Sequence, residues 1–303
     1  MNFLKKRETP SQNIAFISVI ASLNIIFVAL TTLLPMLSLL LIFVLPLLSV
    51  LVWIYCQKKY FLIYSVSTIA LSSLLLIVRL TDSLFYLIPS IVTGLFFGIC
   101  IEKKFTGFWT IFISTLIQVG ITYALIPLIR LIFGVSLIDV FINTFGLAEF
   151  GYKDYLIPVF IFAISLIQTV LTYIVLTYET TKQYKEEKDD NTLVLLLTQL
   201  SLILLSIGFA FIYGPVSLLL TGITIYFGSY VVVKIMYERK KTLIILSLVN
   251  IVVTFFMFSF LYTLIVKPFG YLLILIYFAI ECILVFSNYC LEKSKNKDTM
   301  NKE

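Results

Sequence analysis

The sequence predicts an all-α fold: a polytopic transmembrane helical bundle of about ten spans, with the N-terminus and C-terminus both cytoplasmic. Three observations predict it. Residues 9–57 run for 49 positions without a charged side chain, and similar apolar runs recur to the end of the chain. About 20 apolar residues suffice to cross a bilayer as a helix. The composition is 61% hydrophobic and 13% charged, where soluble domains carry roughly 25% charge. The basic residues gather at the ends of apolar runs, the pattern that orients membrane proteins.

The spans are read in order. The first, 13–34, follows Lys5, Lys6 and Arg7. It is too long for the apolar part of a cleavable signal and has no small-residue cleavage site, so it stays as a membrane helix. Pro35 parts it from 36–56, and Lys58 and Lys59 part that run from 60–79. Residues 80–83 make a short turn into 84–101, which Lys103 and Lys104 close before 107–133. A longer external segment, 134–154, carries Asp139, Asn143, Glu149, Tyr152, Lys153 and Asp154. Next come 155–178, the charged stretch 179–191, then 192–213, a turn at Gly214, 215–236, 242–266, a turn at Lys267–Pro268, and 269–291.

With the N-terminus inside, eighteen of the 22 basic residues fall on the cytoplasmic side. Arg79, Arg130, Lys153 and Lys267 are the four outside. Moving one span would scramble that bias, so ten spans is the expected count. The units expected are a six-helix one over 1–178, a charged cytoplasmic linker over 179–191, and a four-helix one with a basic tail over 192–303. The expected location is the cell membrane, multi-pass.

Composition also excludes. There is no histidine, which removes the commonest general base and metal ligand. Cys56, Cys100, Cys282 and Cys290 form no CxxC pair and read as buried free thiols, neither zinc site nor disulfide framework. No Walker A loop is present, so energy must come from a partner or an ion gradient. Without paired acids or a nucleophile motif the chain does not read as an enzyme. No cofactor, metal or nucleic acid is implied; the lipid bilayer is.

Function has to be read from the polar residues inside the spans. Thr115, Gln118 and Thr122 share one helical face, as do Ser165, Gln168 and Thr172; so do Ser217, Thr221 and Thr224, and Ser247, Asn250 and Thr254. Facing lipid they would lack partners, so they should point inward. They read either as a cavity for a small solute or as hydrogen-bonding glue between helices. Glu281 is the acidic residue deep within a span. A charge there costs ~2.5 kcal/mol or more, so it must be protonated, paired or hydrated. It reads as a proton, cation or cationic-solute site, or as a neutral acid bonded to Asn24, Gln199 or Asn250. Arg130 reads as an interfacial anchor or as a contact to an anionic solute entering beside 134–154. The small residues Ala15, Ser18, Ser22 and Ala29 stripe the first span and allow another helix to approach, either one of this protein's own or a partner's. Gly94 and Gly98 read the same way. Pro46, Pro127, Pro158 and Pro215 mark kinks or helix starts.

The stretches LPLLSVLVWIYCQKKYFLIYSVSTIALSSLLL (45–76), LFYLIPSIVTGLFFGICIEKK (84–104) and GITIYFGSYVVVKIMYERKK (222–241) resemble the YybS-type membrane proteins of Gram-positive bacteria. These are distantly similar to the S components of energy-coupling-factor transporters. The resemblance implies solute binding in a six-helix unit. It also implies docking of a transmembrane coupling subunit and its ATPases on a small-residue stripe, here Ala15, Ser18 and Ser22. The YybS-type last helix often shows an Asp, an aromatic and a terminal Arg; Glu281 stands in and no Arg follows.

The expectation is a transport-type protein with Gln118, Thr122, Gln168, Thr172, Asn250, Glu281 and Arg130 as candidate solute-binding residues. The alternative is a non-transporting scaffold or regulator that holds a cytoplasmic or membrane enzyme.

Overall fold

A computed structural model describes residues 6–33, 44–144, 153–180, 191–237, 241–261 and 269–300. Every regular element among them is helical. The α-helices are α1 (Pro10–Leu33), α2 (Val44–Tyr55), α3 (Lys59–Leu75), α4 (Leu80–Glu102), α5 (Gly107–Phe133), α6 (Leu137–Thr144), α7 (Lys153–Thr180), α8 (Thr192–Ile212), α9 (Gly214–Tyr237), α10 (Lys241–Leu261) and α11 (Leu273–Met300). Short 3-10 turns precede α4 and α11. Pro35, Glu149, Tyr152, the linker residues 181–190 and Lys267–Pro268 lie outside the described residues.

Among the described residues, six helical segments are long and apolar enough to cross a membrane: Pro10–Leu30, Ser83–Glu102, Gly107–Phe133, Ile157–Leu176, Thr192–Ile212 and Gly214–Val233. The chain is a multi-pass membrane protein. Four shorter apolar helices, Val44–Tyr55, Lys59–Leu75, Leu243–Thr254 and Leu273–Asn288, accompany them.

Two elements go beyond the sequence reading. The segment expected to be an external loop contains α6. Ser136 precedes this helix and its hydroxyl accepts from Asp139 N at 3.4 Å, while Asp139 itself sits in the first turn. An N-cap hydroxyl and a first-turn acid both favour a helix start. At the other end α11 runs on to Met300, through the stretch read as a basic tail. The lysines there favour a helix C-terminus electrostatically.

The chain divides into two compact units, residues 1–151 with 161–189, and residues 152–160 with 190–303. In the first, α1, α2, α3 and α4 share a core that includes Phe16, Ile20, Val28, Leu45, Val52, Tyr64, Leu87 and Ile91. α2 and α4 meet at backbone distance because α4 presents Gly94 and Gly98. A Cβ at Gly94 would collide with the Ser49 Cβ and lie 2.6 Å from the Pro46 carbonyl oxygen; one at Gly98 would run into the Trp53 side chain. The two glycines therefore pack against this chain's own α2.

One end of the first unit brings Arg7, Lys58 and Glu102 together. Arg7 N donates to Tyr55 O at 2.9 Å, and the Arg7 guanidinium lies 3.9 Å from the Phe16 ring centre. Gln57 N donates to Asn13 Oδ1 at 3.0 Å, and Lys58 pairs with Glu102 at 2.9 Å. The N-terminal segment, the α2–α3 turn and the end of α4 thus share one end.

In the second unit α8 and α9 form an antiparallel hairpin through Gly214, and α11 packs against α8, α9 and α10. Pro215 is the second residue of α9, where a missing N–H costs nothing. Pro46 likewise sits in the first turn of α2, whereas Pro89, Pro127 and Pro158 lie inside helices.

Candidate functional site

The first group of expected residues lies in the first unit. α5 turns Thr115, Gln118 and Thr122 inward, and α7 turns Gln168, Thr169 and Thr172; all are buried. Gln118 Nε2 donates directly to Gln168 Oε1. Thr93 Oγ1 of α4 donates to Gln118 Oε1 at 3.4 Å. One turn away Thr115 and Thr169 share a hydroxyl bond of 2.6 Å, and Thr172 Oγ1 returns to Gln168 O at 2.8 Å. The two amides thus bond each other across α5 and α7, with Thr93 completing the layer. Sequence reasoning missed Thr93 and Thr169; the adjacency of Thr169 to Gln168 could have found the second, whereas nothing local marks Thr93.

The second group lies in the second unit and is arranged differently. Glu281 is fully buried, and among the described residues it is the only buried Asp, Glu, Lys or Arg. Of the three partners expected for it, Asn250 is the one bonded. Asn250 Nδ2 donates to Glu281 Oε1 at 3.1 Å and to the Tyr277 carbonyl at 3.1 Å. Its Oδ1 accepts from Thr254 Oγ1 at 3.2 Å. That second bond fixes the amide so that its N–H₂ faces the carboxyl. Asn24 instead donates to Tyr64 Oη at 2.6 Å in the first unit.

Glu281 Oε2, Ser247 Oγ and both polar atoms of Gln199 are buried without a hydrogen-bond partner. These four atoms are the only such side-chain atoms among the described residues of the second unit. The Tyr277 hydroxyl lies beside both Ser247 and Glu281, although its approach to Ser247 Oγ and to Glu281 Oε2 lacks hydrogen-bond geometry. Tyr277 was missed from sequence because it stands four residues from Glu281 in an apolar run.

No family model matches this chain, and neither a curated protein nor a solved structure does. The residues carry the functional reading by themselves.

The remaining expected residues lie apart from these clusters. Arg130 is exposed in the last turn of α5, which ends at Gly134 in the left-handed conformation (φ 69°). Ala15, Ser18 and Ser22 are exposed along α1 beside Ile14, Val19, Leu23 and Ile26, opposite the face that packs into the core. The polar face of α9, Ser217 and Thr221, bonds mainly to α8. Ser206 Oγ donates to Ser217 O at 2.9 Å, Ser217 Oγ donates back to Ser206 O at 2.6 Å, and Ser206 and Thr221 share a bond of 2.7 Å. Cys56, Cys100 and Cys282 are buried free thiols and Cys290 is an exposed one.

Proposed function

We propose that the chain is a transport-type membrane protein that binds a small solute or ion inside the membrane and draws its energy from a partner. The carrying observation is Glu281: a fully buried carboxyl whose second oxygen has no partner, beside further buried polar atoms in the same condition. A structural acid in lipid is ordinarily paired within the protein, and intramembrane acids that are not mark ion or substrate sites. The proposal includes about ten spans with both termini cytoplasmic, supported by the basic-residue bias. It also includes the cell membrane as location, a YybS-type, S-component-like unit over 1–178, and docking of a coupling subunit on the exposed Ala15, Ser18 and Ser22.

A specific observation favours the second reading, a scaffold or regulator of a partner enzyme. The Gln118–Gln168 and Ser206–Ser217 clusters bond within themselves, as packing glue does. Affinity purification from native membranes in mild detergent, with mass spectrometry, separates the two. Recovery of a coupling subunit with two ATPases supports transport; recovery of another enzyme in near-equal amount, without ATPases, supports the scaffold.

A further inference from the structure

Two packing layers bracket the buried carboxyl. Leu196 of α8 packs with Cys282 and Val285 of α11, and Ile203 of α8 packs with Leu275 and Phe278. The helices run antiparallel, so the level between the layers holds Gln199 on α8 and Glu281 on α11. α10 contributes Asn250, bonded to Glu281, and Ser247, which like Glu281 flanks the Tyr277 hydroxyl. Every unpartnered buried side-chain polar atom among the described residues of this unit belongs to Gln199, Ser247 or Glu281.

The chemistry of those atoms defines what would satisfy them. Asn250 occupies Oε1 as a donor, so the demand falls on Oε2. An ionised Oε2 presents an acceptor with negative charge and no cation, since Glu281 is the only charged residue buried among the described ones. A protonated Oε2 presents one O–H, with the Tyr277 hydroxyl beside it. A bare proton neutralises the carboxyl but leaves the Gln199 and Ser247 acceptors as they are. A small cation answers the acceptors together: it neutralises the carboxylate and takes Glu281 Oε2, Ser247 Oγ and Gln199 Oε1 as oxygen ligands. Hard cations prefer such oxygen sets, and an ammonium group offers three N–H donors to three acceptors.

We infer that Glu281, Ser247 and Gln199 form an intramembrane site for a small monovalent cation, oriented by Asn250. The inference rests on the transport reading and names the class of its ligand. The shared chemistry is a single positive charge that accepts oxygen ligands, and its source is either an alkali ion or the ammonium head of an amine solute.

The test uses the full chain purified in detergent. Thermal unfolding is followed while NaCl, LiCl, KCl or methylammonium chloride replaces choline chloride at constant total chloride. A ligand that binds only the folded state raises its stability by RT ln(1 + L/Kd), where L is its free concentration, so the gain keeps growing with the logarithm of L above Kd. The wild type should gain stability with at least one of these cations, and Glu281→Gln should show no such gain. Ser247→Ala and Gln199→Leu, which keep the carboxyl, should need about tenfold more cation for the same gain, as loss of a ligand to a charged group implies. A response to alkali ions alone identifies an inorganic ion; a response to methylammonium alone identifies an amine head group. No cation-specific gain in the wild type, or an equal gain in Glu281→Gln, overturns the site. Uptake is measured in parallel in energised native membrane vesicles, which keep the protein with its partners, against vesicles that lack the protein. A cation-specific gain without uptake leaves the site standing and removes the transport reading, and uptake without the gain does the reverse.

Discussion

At the scale of single residues, two buried amide systems make opposite predictions. Gln118 and Gln168 bond each other, with Thr93 on the far side of Gln118. Changing either to Leu removes the partner of the other in their shared bond, at a cost of about 1–3 kcal/mol. Changing both removes donor and acceptor together, so the double variant should lose less than the sum of the singles. The coupling expected from a double-mutant cycle in detergent unfolding is on the order of 1 kcal/mol. Additive losses would show that the two side chains do not act as a pair. Asn250 differs, since it serves Glu281 and Thr254 at once. Asn250→Leu should destabilise by about 1–3 kcal/mol, and Glu281→Gln by less, because the amide keeps the shape and an acceptor oxygen. If Asn250→Leu unfolds at the wild-type temperature, Asn250 does not hold the carboxyl.

At the scale of elements, the contact between α2 and α4 depends on the absence of side chains at Gly94 and Gly98. Gly94→Val places carbon where Ser49 and the Pro46 carbonyl already are. Overpacking of this kind typically costs about 1–3 kcal/mol, read as a lower unfolding temperature. Gly120 on α5 is the control, because a Cβ there meets nothing within 4 Å. Gly120→Ala should stabilise by up to about 1 kcal/mol through helix propensity alone. The same loss at both positions would show that close approach is not what Gly94 provides. The sequence pointed to these glycines through their spacing, but a Gly-x-x-x-Gly pattern does not say which helix it meets. α6 was illegible for a different reason: its eight residues are too few for a clear periodic signal, and only Ser136 and Asp139 announced it.

At the scale of the whole molecule, the proposed orientation makes a prediction of its own. A reporter active only in the cytoplasm should work at the C-terminus and stay silent within 134–154, and an externally active reporter should give the opposite result. Equal signals at both places would end the ten-span proposal. The helical, membrane-spanning character of the chain was determined by the sequence alone, because run length and the cost of unpaired backbone groups in lipid admit only a helix there. The inward direction of the polar stripes was legible too, since a lipid-facing amide has no partner. Which stripes meet was decided only by the tertiary structure. A helical face at offsets of three and four fits several packings equally well, and nothing local distinguishes Gln118 facing a solute from Gln118 facing Gln168. Packing joined that pair and Thr93 into one bonded layer, and it placed Gln199 level with Glu281 while Asn250 bonded only one of the two carboxyl oxygens. The difference is physical: apolar burial depends on each segment's own composition, whereas the partnering of a buried polar atom depends on residues far away in the chain.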